Sequence, residues 1–325
     1  MEVVKDVMQE EALKKSLKEK RKKQQRKMLK KDLLGWSFII WPLLGFVLFS
    51  GFPYLLSLVL SFTELKSFFF EEMKFIGFDN YVWLFTDPTS KLFKAFGNSL
   101  YYMLNIPINM SIGVVLAALV TRKIKGKRFF STLVFLPQLC SLVATSVVWK
   151  YMFDYDYGVF NTLLSNIGAE KLDWLGDEST FMASILFTTT WSIGTNCLLY
   201  QAAISQVDES LYEAADIDGA GPIRQFFIVT LPMITPTIFY SLTTNLVSTF
   251  QVMGTMQIYV GKNIPFGPMD AGVTPVFYMY YMMNDNLATT GLGMASAMAW
   301  LLAIWIIVIT RLNFFFSKYW VHDGE

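Results

Sequence analysis

Histidine is almost missing from this chain: of 325 residues only His322 is a histidine, and only Cys140 and Cys197 are cysteines. A Ser-His-Asp triad, a His-rich metal centre, a four-thiolate zinc site and a disulfide scaffold therefore have no material to be built from. Charge is scarce as well, at 16% of residues against about 25% in soluble domains. The 27 Lys and Arg nearly balance the 26 Asp and Glu, for a net charge of +1, so no global field favours a nucleic-acid partner. Neither Gly-x-x-x-x-Gly-Lys-Ser/Thr nor Gly-x-Gly-x-x-Gly occurs, so the chain has no phosphate cradle of its own. Any dependence on ATP would have to come from a second polypeptide.

What the chain has in excess is apolar surface, 54% of residues being hydrophobic and 16% aromatic. Runs of about 20 mainly apolar residues are long enough to cross a bilayer as helices. Six such runs lie near Leu34–Phe62, Asn98–Val120, Phe130–Phe153, Phe181–Ile204, Ile234–Met253 and Thr289–Thr310. The expected fold is an all-α integral membrane protein with six transmembrane helices. The first run is expected to stay as a span: its basic leader and apolar stretch are both too long for a cleavable signal, and no small-residue cleavage pattern follows. Pro42, Pro53, Pro107 and Pro137 fall in or near spans and predict bends.

The basic residues set the expected orientation. Twelve precede the first run, from Lys5 to Lys31, and Arg122, Lys123, Lys125, Lys127 and Arg128 crowd the connection between the second and third. With Arg224, Arg311 and Lys318 one side holds 20, against 7 on the other. The positive-inside rule then places both termini in the cytoplasm, which needs an even number of spans. The expected organisation is a basic tail over 1–32, a first helix with its outside connection over 33–96, a helical core over 97–310, and a cytoplasmic tail over 311–325. The helix-forming leader Glu10–Asp32 reads first as a solvated tail that helps set topology, and second as a surface for anionic headgroups.

The loop over 206–235, between the fourth and fifth runs, carries the most local punctuation. Asp208 suits an N-cap and Glu209 adds negative charge to a first helical turn. Gly219 can stop that helix in a left-handed conformation, and Pro222 can open a second one. Leu231-Pro232 is expected to end the second helix just before the membrane. Ala214 and Ala215 would let another backbone approach, with Glu213 beside that contact.

Glu213-Ala214-Ala215, Gly219 and Leu231-Pro232 stand at the spacing of the Glu-Ala-Ala loop of binding-protein-dependent ABC import permeases, which this chain resembles. Val229 replaces the isoleucine of that pattern. The resemblance extends from about Phe75 to the C-terminus and points to carbohydrate permeases similar to the maltose permease. It is carried by Gly77-Phe78-Asp79-Asn80-Tyr81, Tyr212-Glu213-Ala214-Ala215 followed by Ile217-Asp218-Gly219-Ala220, Gly291-Leu292-Gly293-Met294-Ala295 and Tyr319-Trp320-Val321. No large outside domain is inserted between the first two spans, which departs from the maltose permease itself.

The resemblance implies a type-1 ABC importer transmembrane domain with a cytoplasmic coupling helix, in the plasma membrane. Leu211, Glu213, Ala214, Ala215, Asp218, Gly219, Pro222, Leu231 and Pro232 would couple it to an ATPase. It implies no cofactor on this chain, ATP–Mg on a partner ATPase dimer, a second and different permease, and an extracytoplasmic solute-binding protein. The chain itself would be no enzyme.

A substrate path is sought among polar residues within spans, which usually face a bundle interior. The fourth and fifth runs are rich in Thr, Ser and Asn, and neutral groups beside aromatics suit a sugar. The resemblance to maltose-type permeases implies that Trp191–Asn196 and Asn245–Thr249 line the sugar path, and Trp191, Asn196, Asn245 and Thr249 are the residues expected on it. The same residues could instead glue helices together. Gln138 and Lys150 are weaker candidates, and snorkelling accounts for Lys150. Phe68-Phe69-Phe70 and Tyr278–Tyr281 read as interfacial anchors. A glycerol-phosphate or polyol derivative is the alternative solute, although a phosphate would want Arg or Lys on the path. An ion-coupled secondary transporter should show intramembrane acids, and no Asp or Glu lies within the six runs.

Overall fold

The computed structural model describes residues 34–66, 73–121, 126–261, 264–284 and 291–322, together with Met28 and Lys31. The leader apart from those two residues, Phe68-Phe69-Phe70, Arg122, Lys123, Lys125 and Lys262 lie outside the described residues. The chain divides into two compact units, Met1–Val59 and Leu60–Glu325.

The first unit holds nearly all of helix α1, Leu34–Leu60. A π-helical turn at Val47–Gly51 precedes Pro53, so the ladder has already shifted by one residue where the proline withholds its N–H.

The second unit opens with a two-residue hairpin, β1 (Thr63–Glu64) antiparallel to β2 (Lys74–Phe75), with Thr63 opposite Phe75. Helices α2 (Asp79–Thr86), α3 (Leu92–Tyr102) and α4 (Asn105–Thr121) follow. Then come α5 (Lys127–Phe135), α6 (Leu142–Met152), α7 (Val159–Asn166), α8 (Glu178–Thr189) and α9 (Gly194–Ile204). The last six are α10 (Glu209–Ile217), α11 (Pro222–Met233), α12 (Thr235–Phe250), α13 (Gly254–Val260), α14 (Pro275–Asn284) and α15 (Gly291–Ser317).

The six continuous spans expected from the sequence resolve differently. Three described helices are long and apolar enough to cross a membrane: α1, the Leu92–Thr121 run of α3 and α4, and α15. Two bent pairs raise the number to five: α5 with its 3-10 extension against α6, at 94°, and α11 against α12, at 66°. Pro137 lies in the 3-10 turn Leu136–Leu139 that leads into the first break, whereas Pro107 sits in the first turn of α4, where it needs no bend. The expected fourth span is broken by a 3-10 turn at Thr190–Ser192. The hydroxyls of Thr188, Thr189 and Thr190 each donate to the carbonyl three residues back, at 2.7 Å. Such back-bonding competes with the regular ladder and weakens the helix where three threonines stand together.

The connection that follows α1 is held by side-chain hydrogen bonds among its described residues. Asn80 Nδ2 donates to the carbonyls of Ser61 and Thr63 at 2.9 Å each, and Tyr81 hydroxyl donates to Ser61 Oγ at 2.8 Å. The start of α15 closes on the same point: Gly293 N–H donates to the Leu65 carbonyl, and a Cβ at Gly293 would stand 2.0 Å from the Thr63 carbonyl oxygen. The Gly-x-x-Asn-Tyr and Gly-Leu-Gly segments thus form one packing joint. Gly293→Ala is expected to force the hairpin off α15, at about 1–3 kcal/mol for overpacking. A lowered thermal midpoint in detergent checks it.

Two apolar clusters hold the second unit together. One gathers Phe181, Ile185, Met256, Met282 and Met298 around α8, α13, α14 and α15. The other gathers Ile106, Ala117, Cys197, Tyr200 and Ile234 around α4, α9 and α12. A polar cavity borders both.

Candidate functional site

Two features merit chemical scrutiny, the loop between α9 and α12 and the cavity that those same helices line. The loop begins at Asp208, whose carboxylate accepts from the Ser210 N–H at 2.9 Å and caps α10. The Ser210 backbone N–H and hydroxyl hold that carboxyl below the usual aspartate range, so the cap stays charged at neutral pH and is lost only as pH falls through the depressed value.

Helix α10 ends in a complete Schellman motif: Ala220 N–H donates to the Ala215 carbonyl at 2.9 Å and Gly219 N–H to the Asp216 carbonyl at 3.0 Å. Gly219 takes φ +73° there, and nothing lies within 4 Å of where a Cβ would stand. Glycine is required at this point for its backbone freedom and not for space. Pro222 opens α11 at its first turn. Two side chains tie the helices together: Gln225 Nε2 donates to Asp216 Oδ1 and to the Ala220 carbonyl, and Tyr212 Oη pairs with Thr230 Oγ1 at 2.9 Å.

The second helix ends close to where Leu231-Pro232 predicts, at Met233, one residue past the proline. A π turn at Phe226–Thr230 lengthens the ladder just before Pro232, and the true break falls at Ile234. The two alanines also differ. Ala214 is exposed, whereas Ala215 is buried, as is Ala220 after the turn. Leu211, Glu213, Asp218, Gly219 and Pro222 lie on the outer surface of the loop, while Leu231 and Pro232 are half-buried.

Sequence reasoning named Ile217 only as part of the resemblance, with no role of its own, and passed over Ile223. They flank the glycine turn and are 87% and 76% exposed, as large apolar side chains seldom are beside so many polar ones. The available signal was two β-branched apolar residues on either side of a turn whose other members are small or charged.

The cavity has a volume of about 310 Å³, within the range of small-molecule sites. Asn196 on α9 and Asn245 on α12 line it. Ser241 joins them: its Oγ donates to Asn196 Oδ1 at 3.3 Å and accepts from Asn245 Nδ2 at 3.1 Å and from the buried Tyr200 hydroxyl at 2.8 Å. Thr249 is buried behind the wall, where its Oγ1 accepts from Asn105 Nδ2 at 3.3 Å. Trp191 is half-exposed on a neighbouring hollow and meets Trp149 edge-on, with ring centroids 6.2 Å apart. Of the two weaker candidates, Gln138 lines the cavity, and Lys150 turns its Nζ to the Ile258 carbonyl at 3.2 Å.

Asn105, Asn109 and Trp149 also line the cavity and were not foreseen. Asn105 and Asn109 are four apart, which places two amides on one face of an otherwise apolar helix. Trp149 is braced by Phe153, Phe160 and Phe187, at centroid distances of 5.9, 6.2 and 5.6 Å. Among the described residues no three of His, Cys, Asp and Glu stand together to hold a metal.

A polar, neutral cavity between broken apolar helices, beside an exposed two-helix loop, is the layout of a solute-conducting membrane protein. Comparison narrows the class. Residues 109–258 match the family of binding-protein-dependent transport system inner membrane components. The probable ABC transporter permease protein YesP of Bacillus subtilis (strain 168) is 31% identical over 90% of this chain and 93% of its own length. The lactose transport system permease protein LacF of Rhizobium radiobacter is 30% identical over 88% of this chain and 95% of its own. A solved bacterial ABC transporter involved in the import of the acidic polysaccharide alginate shares the fold, with a TM-score of 0.77 at 24% identity, over 90% of this chain and 97% of that chain. This chain belongs to the family of binding-protein-dependent ABC transporter permeases. It is a multi-pass membrane permease and not an enzyme.

Proposed function

We propose that this chain is one membrane-spanning half of an ATP-driven importer for an oligosaccharide or glycoside, and that the loop over 206–235 is its joint with a separate ATPase. Six spans cross the plasma membrane in this reading, with α8 and α9 together forming the fourth. Both termini and the loop face the cytoplasm. Two copies of an ATPase carry ATP–Mg, a second permease completes the path, and a solute-binding protein delivers the sugar from outside. In this reading the 97–310 segment is the ABC type-1 transmembrane domain, flanked by the tails at 1–32 and 311–325 and by the first helix with its connection at 33–96.

One observation supports the coupling most directly. The loop joins α9 to α12, and the buried Ser241 links these two helices behind the cavity wall, bonding Asn196 and Asn245, which line it. Closure of the ATPase dimer would push on Leu211, Glu213, Ala214, Asp218 and the Ile217–Ile223 rim. The ties from Gln225 and Tyr212 make the loop move as a body. That motion passes along α11 to the break at Ile234 and then to α12, shifting Asn245 against Asn196. Alternating access is thereby a change in the geometry of the polar hub. A sugar is favoured as cargo because the wall offers amides, hydroxyls and an indole, and because the relatives include a lactose permease.

The test is uptake of labelled oligosaccharides by inside-oriented vesicles holding the complete importer. Uptake is expected to persist when ionophores collapse the ion gradients and to fall to background when ATP is removed. Survival without ATP, with loss on collapsing a gradient, would overturn the reading.

A further inference from the structure

The cavity wall contributed by this chain has a defined hydrogen-bonding sense. Ser241 has one hydroxyl proton, and Asn196 Oδ1 receives it. Asn245 must then face Ser241 with its Nδ2, as it does. Asn196 is left with its amide N–H groups, and Asn245 with its carbonyl oxygen, neither bonded to another described residue. The two amides are therefore set in opposite senses, one offering a donor and one an acceptor.

The same logic fixes a third amide. Thr189 spends its proton on the Leu186 carbonyl at 2.7 Å, so Asn109 must turn Nδ2 toward Thr189 Oγ1, at 3.0 Å. That leaves Asn109 Oδ1 as a buried acceptor with no partner among the described residues. A buried acceptor without a donor is unfavourable, and a donor brought by a solute would relieve it. None of the described residues lining the cavity is Asp, Glu, Lys, Arg or His. Lys150, next to Trp149 in the sequence, has its Nζ on the Ile258 carbonyl.

We propose that this wall selects an uncharged, hydroxyl-bearing solute and rejects carboxylates and phosphates, with Asn245 and Asn109 as the acceptors and Asn196 as the donor that read it. This rests on the importer reading and narrows its cargo. A hydroxyl both gives and takes a proton, so it satisfies a wall of mixed sense. A carboxylate or phosphate ester oxygen only accepts, so it could use the Asn196 N–H groups but would be repelled by the Asn245 and Asn109 carbonyl oxygens, with no cation among the described lining residues to offset that. The cargo class thus differs from that of the acidic polysaccharide importer that shares the fold.

Cys140 supplies the probe. It is exposed and lines the cavity, whereas Cys197, the other cysteine, is buried. In the complete importer, carrying Cys197→Ser, Cys140 is titrated with neutral, cationic and anionic methanethiosulfonates, each rate being divided by that of a free thiol. The expected order is neutral fastest and anionic slowest, with at least tenfold between them, and alginate pentasaccharide at millimolar concentration should not slow the labelling. An anionic reagent as fast as the neutral one, or protection by the acidic pentasaccharide, overturns the proposal.

Asn245→Lys, checked for insertion and assembly, should speed the anionic reagent about tenfold or more, since one charge within several ångströms acts strongly in a low-dielectric wall. An unchanged rate overturns the assignment to Asn245. Asn109→Lys gives the same reading from the opposite helix if the first variant fails to assemble. Loss of ATP dependence in uptake would sink the importer reading and leave the labelling order intact, so the two failures are distinguishable.

Discussion

A permease carrying Ile217→Asp and Ile223→Asp is expected to insert and fold normally and to fail in transport, with uptake and copurification with the ATPase falling by about a thousandfold. The argument starts from exposure. Both side chains stand almost entirely clear of the rest of the chain, so replacing them removes little burial and creates no cavity. Any large effect must come from a surface that covers them. Buried apolar anchors at interface centres contribute about 2 kcal/mol or more each, and every 1.4 kcal/mol is a factor of ten in affinity. Aspartate adds the penalty of an unpaired carboxylate in a water-excluded contact.

Ile217→Leu with Ile223→Leu should retain most of the transport, because the apolar volume is kept. Gly219→Val attacks the same contact from beneath: a β-branched residue at φ +73° is strained in any surroundings, so the turn that presents both isoleucines is lost. Copurification and uptake at wild-type levels in the double aspartate variant would remove the loop from the coupling path.

The sequence was most readable where a residue acts through its own backbone. Asp208, Gly219 and Pro222 punctuate the chain by local chemistry, and the helices begin and end where those residues dictate. Pro232 marked the helix end to within one residue, while the π turn at Phe226–Thr230 just before it is announced by no single residue. Ala215 misled because burial is decided by what the second helix brings over it, and the sequence shows two identical alanines side by side. In the fourth run hydropathy foretold one continuous span, while three adjacent threonines turned their hydroxyls onto the helix and broke it.

The cavity was half visible for a similar reason. Asn196 and Asn245 were found by scanning the polar runs, which are dense in Ser and Thr. Asn105 and Asn109 lie in a helix otherwise so apolar that the scan passed over it. Trp191 and Trp149 are equally apolar residues in sequence, and only the bend after α5 decides which of them reaches the cavity.

Asn196→Leu combined with Asn245→Leu should reduce kcat/KM for uptake by up to about a hundredfold while the importer assembles with a normal thermal midpoint. Each leucine deletes an amide that lines the cavity, and a hydrogen bond to a neutral partner contributes about 0.5–1.5 kcal/mol. Two such losses come to about 1–3 kcal/mol, whose upper end matches the roughly 2.7 kcal/mol that a hundredfold represents. Stability should hold because hydrogen bonds between membrane helices average only about 0.6 kcal/mol. Ser241→Ala separates the two roles. It leaves both amides in the cavity and deprives the buried Tyr200 hydroxyl of its acceptor, so it should lower the thermal midpoint more than it lowers uptake. Had the polar residues served only to fasten α9 to α12, the order would invert: the double leucine variant would melt early and transport normally until it did.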